Sequence, residues 1–284
     1  MHRIDRATVD GSRHGLSSHG LSPSHAFAQR LARGAPICEP VALVVAHADD
    51  ETLWAGAAIP RLSRLTLVHL TDSAPVDSID AVRLGFSSRG DYARARAAEL
   101  DAALAVLGGL PHRLAYGVPD KQCIEYVEAI VERLVRDLPS VAAILMHPYE
   151  GGHPDHDTAA LAVRIAARQI ERGTGRAPAL VEFACYHAHE GARCFGCFSP
   201  DPACPEQVRP LSAPDRARVE RALAEHRTQA DVIDGWCPRM ERWRAAPTYE
   251  FASPPPPGTS LYDGFGWAMT STRWRQRAQE ALGA

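Results

Sequence analysis

Eleven residues near the start of this chain constrain its fold more than any others: Val41-Ala42-Leu43-Val44-Val45-Ala46-His47-Ala48-Asp49-Asp50-Glu51. The first six are apolar and rich in Val, the pattern of a strand buried on both faces, as in a parallel sheet. The run then stops in five residues, four of which can bind a metal or move a proton. A buried strand ending in such a cluster sets it at the carboxyl edge of a sheet, where open α/β sheets bind ligands.

The rest of the chain alternates in a way that supports a sheet of this kind. A short helix is expected over residues 24–33, a helix opening at Asp50, and a second strand over 65–70 that ends in a polar loop, Thr71 to Pro75. Apolar residues at 93, 97, 100, 104 and 107 mark one helical face, stopped by Gly108-Gly109. A short strand over 114–116, a turn over 117–120 and a helix over 124–138 follow. Val141 to Met146 is another buried strand, running into His147-Pro148-Tyr149-Glu150-Gly151-Gly152-His153-Pro154-Asp155-His156-Asp157. A helix to about residue 172 and a strand over 180–186 complete the pattern. Strands alternating with helices predict a Rossmann-like, doubly wound, mostly parallel α/β sheet with helices on both faces. Right-handed crossovers then bring the ends of strands 41–46 and 141–146 to one edge.

Residues 1–36 are expected to be a mobile arm with the short helix, and residues 37–284 a single domain with a loop-rich and helical C-terminal extension. Residues 187–211 read as loop, Ser212 to about Gly235 as one helix and 272–282 as another. With 45% hydrophobic and 23% charged residues, the chain can bury a large core. A net charge of -3 gives no basic footprint for nucleic acid, no apolar run reaches the length of a membrane span, and no signal core follows the start. The cytoplasm is the expected compartment, and homo-oligomerisation is left open. The seven Cys are odd in number and scattered. Cys194, Cys197 and Cys204 resemble half of a zinc site without a second CxxC, and reduced loop thiols are the preferred reading.

A catalytic zinc takes three protein ligands and leaves one position for water. His47 and Asp50, three apart at a strand mouth, can converge, and His156 can supply the third ligand from the other loop. Asp49 is then free as a general base, and His153 as a proton donor or oxyanion partner. Each cluster alone also reads as helix capping or a turn. Glu51 reads as a first-turn helix residue hydrogen-bonded near the site, and His69, His112, His187, His189 and His226 as core or surface histidines.

The pair His47-Ala48-Asp49-Asp50-Glu51 and His153-Pro154-Asp155-His156 resembles the PIG-L or LmbE-like N-deacetylases, whose hallmarks are AHPDDE after the first strand and HPDH after a later one. The resemblance covers residues 40–190. It implies one Zn²⁺ per chain, held by His47, Asp50 and His156, with Asp49 as the general base and His153 stabilising the intermediate or protonating the leaving amine. It also implies that Arg96 contacts substrate and that Asp120 contacts sugar hydroxyls. The activity implied is removal of an N-acyl group, usually acetyl, from an amino sugar or sugar conjugate. Two alternatives are an amidase acting on a sugar-thiol conjugate or other amide, and a metal-free sugar- or nucleotide-binding module. The chain departs from the family at Ala48, where Pro is usual and a looser turn is expected, and at Gly151, where some members carry a Tyr that polarises the carbonyl. Tyr149 is the nearest Tyr in sequence.

Overall fold

The computed structural model describes residues 22–109 and 111–283. The apolar run at its centre forms β1 (Val41–Val45), buried along its whole length. The other strands are β2 (Leu65–Pro75), β3 (His112–Asp120), β4 (Ala143–Met146), β5 (Ala179–Phe183), β6 (Tyr186–His189), β7 (Ala192–Phe195), β8 (Gln207–Pro210) and β9 (Met240–Ala245). The α-helices are α1 (Pro23–Arg33), α2 (Asp50–Ala55), α3 (Ile79–Arg83), α4 (Arg89–Leu107), α5 (Val127–Asp137), α6 (Pro154–Thr174), α7 (Ala213–Leu223), α8 (Ala230–Ile233) and α9 (Ser271–Gly283). Seven strands make one sheet in the order β3-β2-β1-β4-β5-β9-β8, and β6 and β7 form a separate hairpin. The first five of the seven run parallel; β9 is antiparallel to β5, and β8 to β9.

Both faces of the sheet are covered. Val41, Leu43 and Val45 pack on one side with buried residues of α1, α2, α4 and α7, and Ala42 and Val44 on the other with residues of α5, α6 and α9. This is the mostly parallel, two-sided architecture expected. No helix among the described residues is long and apolar enough to cross a membrane.

Several boundaries differ from the expected ones. Residues 1–21 of the expected arm lie outside the described residues, whereas α1 belongs to the core: Phe27, Ala28 and Leu31 are buried. Ser22 caps it, accepting from the N–H of His25, Pro23 opens it and Gly34 closes it in the left-handed region. β2 runs on through the expected polar loop because its polar side chains bind backbone: Thr71 Oγ1 donates to Ala46 O at 2.7 Å, and Ser73 Oγ accepts from Ala48 N at 2.8 Å. β3 likewise continues through the expected turn to Asp120. The single helix expected from residue 212 stops at Leu223, and Glu99 then captures Thr228 through its N–H and its hydroxyl. β6, β7 and β8 replace much of the expected loop over 187–211.

β9, Met240-Glu241-Arg242-Trp243-Arg244-Ala245, has no strand-like hydropathy because its charges are buried in pairs. Arg244 donates from Nε to Glu182 Oε2 (2.8 Å), from Nη2 to Glu150 Oε1 (3.0 Å) and Tyr249 Oη (2.9 Å), and from Nη1 to Ser199 O (2.9 Å). Burial pushes the Glu182 carboxyl up to about 7 despite the pull of Arg244. Removing one partner of a buried ion pair strands the other charge. Arg244→Met is therefore expected to lower stability by about 3–5 kcal/mol, read as a drop in the urea unfolding midpoint; an unchanged midpoint contradicts this account of β9.

Candidate metal and catalytic site

The two polar clusters meet at the carboxyl edge of the sheet. At the end of β1 the chain turns sharply. Asp50 Oδ2 accepts the N–H of His47 at 2.8 Å, and Ala48 N–H is held by Ser73. A proline at 48 could not make that second bond, so the turn is pinned there rather than loosened. Between them Asp49 takes φ 147°, a left-handed value unusual for a residue with a Cβ. Neighbours hold it: its N–H donates to Glu51 Oε2 at 3.2 Å, and Arg96 Nη2 donates to its Oδ2 at 3.1 Å. Glu51 is structural, as expected, its Oε2 lying 3.0 Å from His69 Nε2 and its Oε1 3.8 Å from His226 Nε2.

The second cluster opens α6. His153 caps the helix, Nδ1 accepting from the N–H of Asp155 at 3.2 Å, and Pro154 occupies the first turn. Asp155 accepts the N–H groups of Lys121 (2.6 Å) and Cys123 (2.9 Å), tying α6 to the segment after β3. That tie sets Asp120 beside the first cluster.

The residues expected from sequence are brought together. Asp50 turns Oδ1 to His156 Nε2 and Oδ2 to His47 Nδ1, each at 3.3 Å. His47 Nε2 lies 2.9 Å from Asp120 Oδ1 and 3.4 Å from Asp155 Oδ2. The His153 ring stands edge-on to that of His47 at 4.6 Å, its Nε2 3.7 Å from Asp120 Oδ1. His47, Asp49, Asp50, Asp120, His153 and His156 all line one cavity of about 450 Å³. Arg96 also reaches its wall, but its expected substrate contact is not what the geometry favours. The side chain is buried and its donors go to Asp49, Ala48 O and Ser73 O.

Sequence reasoning missed two further members, His147 and Cys185. Asp50, His147, His156 and Cys185 each offer one atom within 4.8 Å of the others, as do His47, His153 and His156. Both missed residues sit just beyond the ends of β4 and β5, the positions that correspond to the end of β1. His147 Nε2 accepts the N–H of Ala46 at 3.2 Å. Cys185 Sγ lies 3.4 Å from His156 Nδ1. With Nδ1 turned to that sulfur, His156 Nε2 is buried without a hydrogen-bond partner among the described residues. A buried imidazole nitrogen facing a carboxylate, with more carboxylates beyond, is a place where a cation fits.

The charges agree. Burial resists protonation of His47, but Asp120, with hydrogen bonds to Asp155 and Asp50, holds it well above its ordinary range. Burial works against ionised Asp50, yet His156 and His147 hold its pKa well below the usual value. Asp49 is pushed up to about 7, chiefly by burial, with Arg96 opposing. Burial and the charge of His47 hold His153 well below the usual imidazole range, so it is neutral. Burial likewise lowers His147 to about 3.

The expectation of reduced thiols in the 187–211 loop does not hold at two positions. Cys194 and Cys197 are joined in a disulfide, with Cα atoms 6.6 Å apart, where Gly196 turns the chain in the left-handed region at the end of β7; Cys204 is free. The Tyr missing at 151 has no room. A Cβ on Gly151 would meet Ser260 Oγ at 2.8 Å and Pro255 Cγ at 2.9 Å. Tyr149 does not take its place, since its hydroxyl donates to Ser253 O at 2.8 Å in an aromatic stack with Trp274 and Phe251.

Fold and site together define an α/β domain of the kind that binds ligands at the carboxyl edge of a parallel sheet, with a centre of His, Asp and Cys donors able to hold a metal ion. The comparisons bear out the family resemblance carried by the two motifs. Residues 42–167 match the family described as PIG-L: GlcNAc-PI de-N-acetylase, a span containing both motifs. Over 163 residues the chain is 30% identical to 1D-myo-inositol 2-acetamido-2-deoxy-alpha-D-glucopyranoside deacetylase 2 of Catenulispora acidiphila, covering 48% of this chain and 53% of that one. The chain thus spans about half the length of the curated relative it matches. Among solved structures, the A40926 pseudoaglycone deacetylase Dbv21 superposes with a TM-score of 0.53 at 18% identity, covering 74% of this chain and 97% of that one. A deacetylase of the teicoplanin biosynthesis pathway gives 0.55 at 13%, covering 74% and 99%. At these identities the two structures show the shared fold.

Gly151 provides a direct check of the site's packing. Gly151→Ala is expected to cost about 1–3 kcal/mol, from a left-handed φ of 69° and a crowded Cβ. Thermal unfolding reads this as a lowered midpoint, and a wild-type midpoint would mean that residues 255–260 do not pack on the loop as described.

Proposed function

We propose that this chain is a zinc-dependent hydrolase that removes an N-acyl group, N-acetyl in the simplest case, from an amino sugar or sugar conjugate. The observation that carries the reading is the placement of both His47 and His156 against the Asp50 carboxylate, with His156 Nε2, which has no hydrogen-bond partner among the described residues, facing it, and Asp49 turned instead to Arg96. The family match over both motifs supports it. His47, Asp50 and His156 are the residues that would hold one zinc ion per chain. Bound zinc supplies a water of lowered pKa and a Lewis-acid contact for the acyl oxygen.

The remaining work falls to the protein's side chains. Asp49 accepts the proton of the attacking water. Arg96 and the Glu51 carboxylate fix its orientation, Arg96 through Oδ2. Burial raises its pKa, which strengthens it as a base. His153 is neutral, and the Asp155 N–H on its Nδ1 sets the ring proton on Nε2. From there it hydrogen-bonds to the acyl oxygen as charge develops on it, while the proton taken up by Asp49 passes to the departing amine. Asp120 orients His47 and stands at the cavity wall, where a sugar hydroxyl can donate to it. Arg96 acts as a positioning residue for the base.

The test is incubation of zinc-loaded protein with a panel of N-acetylated sugars, sugar lipids and nucleotide sugars. Equal release of acetate and free amine from one member is expected. A protein that retains no zinc and releases no acetate from any of them would sink the reading.

The roles are separable. Asp49→Asn is expected to keep its metal and lose roughly 10²–10⁴-fold in turnover, the size of a lost general base. Asp50→Asn and His156→Ala are expected to lose metal first. Metal content and turnover measured on the same preparations decide it: loss of zinc from Asp49→Asn with retention by Asp50→Asn would exchange the two assignments.

A further inference from the structure

The β6–β7 hairpin holds a second set of metal donors, none of which lines the cavity described above. His187 on β6 is the strand partner of Cys194 on β7. One donor atom from each of His187, Cys194 and Cys197 lies within 4.8 Å of the other two. His187 is buried. Its Nδ1 faces Glu150 Oε2 at 3.4 Å, and neither atom has a hydrogen-bond partner among the described residues. The other Glu150 oxygen is engaged by Arg244 and by the N–H of Ser199.

We propose that, when the Cys194–Cys197 disulfide is reduced, Cys194, Cys197 and His187 form a second metal site, for one thiophilic divalent cation of the zinc class. Two thiolates three residues apart and an imidazole are a donor set that suits such a cation. The half-site of the sequence lacks a partner only if Cys is sought; the missing donor is a His on the adjacent strand. Glu150 Oε2, 3.4 Å from Nδ1, is placed to accept from the imidazole once it ligates, which leaves Nε2 for the metal. Three protein donors leave the fourth tetrahedral position to water.

Opening the site takes two electrons and two protons. A dithiol reductant supplies both: the Cys194–Cys197 S–S bond breaks, two thiols form, and the reductant closes its own disulfide. Metal binding then releases the two thiol protons to solvent. The site stands independently of the hydrolase reading, because it is read as a difference between oxidised and reduced protein.

The experiment is a Co²⁺ titration of the full chain, oxidised and after reduction with dithiothreitol and anaerobic desalting. The reduced protein is expected to gain one equivalent of Co²⁺ over the oxidised protein, with thiolate-to-cobalt charge-transfer absorption in the near ultraviolet. Cys194→Ser and Cys197→Ser should each abolish the gain. Cys185→Ser, which removes the thiol beside His156, should keep it. His187→Gln should weaken the second equivalent 10-fold or more, and if that variant does not fold the two Cys variants decide. No gain on reduction, or a gain that survives in the Cys194→Ser/Cys197→Ser double variant, overturns the proposal.

Discussion

The structure depends on one carboxylate that is almost wholly withdrawn from the surface. Asp50 is 3% exposed. An ionised carboxyl in such a place costs many kcal/mol unless charges and donors surround it. The polar groups around Asp50 come from four parts of the chain. The N–H and Nδ1 of His47 come from the end of β1, and Trp54 Nε1, at 3.3 Å, from α2. The His147 ring, its Nε2 accepting the Ala46 N–H, packs 3.4 Å from Asp50 at the end of β4, and His156 Nε2 faces the carboxylate from the first turn of α6. Satisfying this one group fixes how two strands and two helices meet.

A second layer of polar contacts fixes the first. His147 is held by Ala46 N–H, His156 faces Cys185, and Asp155 gathers the backbone after β3. Asp157 accepts from Gly151 N–H and from the Tyr262 hydroxyl, both at 3.0 Å, tying the HPDH turn to the C-terminal segment. Trp274 Nε1 on α9 donates to Thr158 Oγ1 at 2.9 Å, one turn further along α6. The C-terminal segment is thereby part of the site's support. A metal centre holds its geometry only when rotamers of the ligands are fixed in this way.

What could be read from sequence follows from what hydropathy and spacing record. β1 and β4 were legible because both faces are buried and their residues are uniformly apolar, and His47, Asp50 and His156 because they follow those strands in dense motifs. β9 was not legible, since Arg244 and Glu241 satisfy their charges inside the protein and leave no apolar pattern. The extensions of β2 and β3 were hidden because Thr71, Ser73 and Asp120 carry turn-like side chains that here bind neighbouring segments. Arg96 was legible as a site residue, but the partners it has chosen, Asp49 and two carbonyls, are a matter of tertiary contact. The Cys194–Cys197 disulfide depends on a left-handed turn at Gly196 that no spacing rule distinguishes from a metal half-site.

The register of the parallel strands explains why donors a hundred residues apart share a centre. Val44 of β1 lies beside Met146 of β4, and Met146 beside Glu182 of β5. His47, His147 and Cys185 therefore leave the sheet within a residue or two of one another, on three adjacent strands. Adjacent strands lie ≈ 4.7–4.9 Å apart, a distance that side-chain donors can close around a shared point. Side chains alternate between faces along each strand, so a shift of one residue would turn a donor into the helix layer. The buried Val-rich run of β1 holds that register by packing on both sides. The apolar half of the opening segment thus does more than build core: it sets the alignment in which its polar half can meet the second loop.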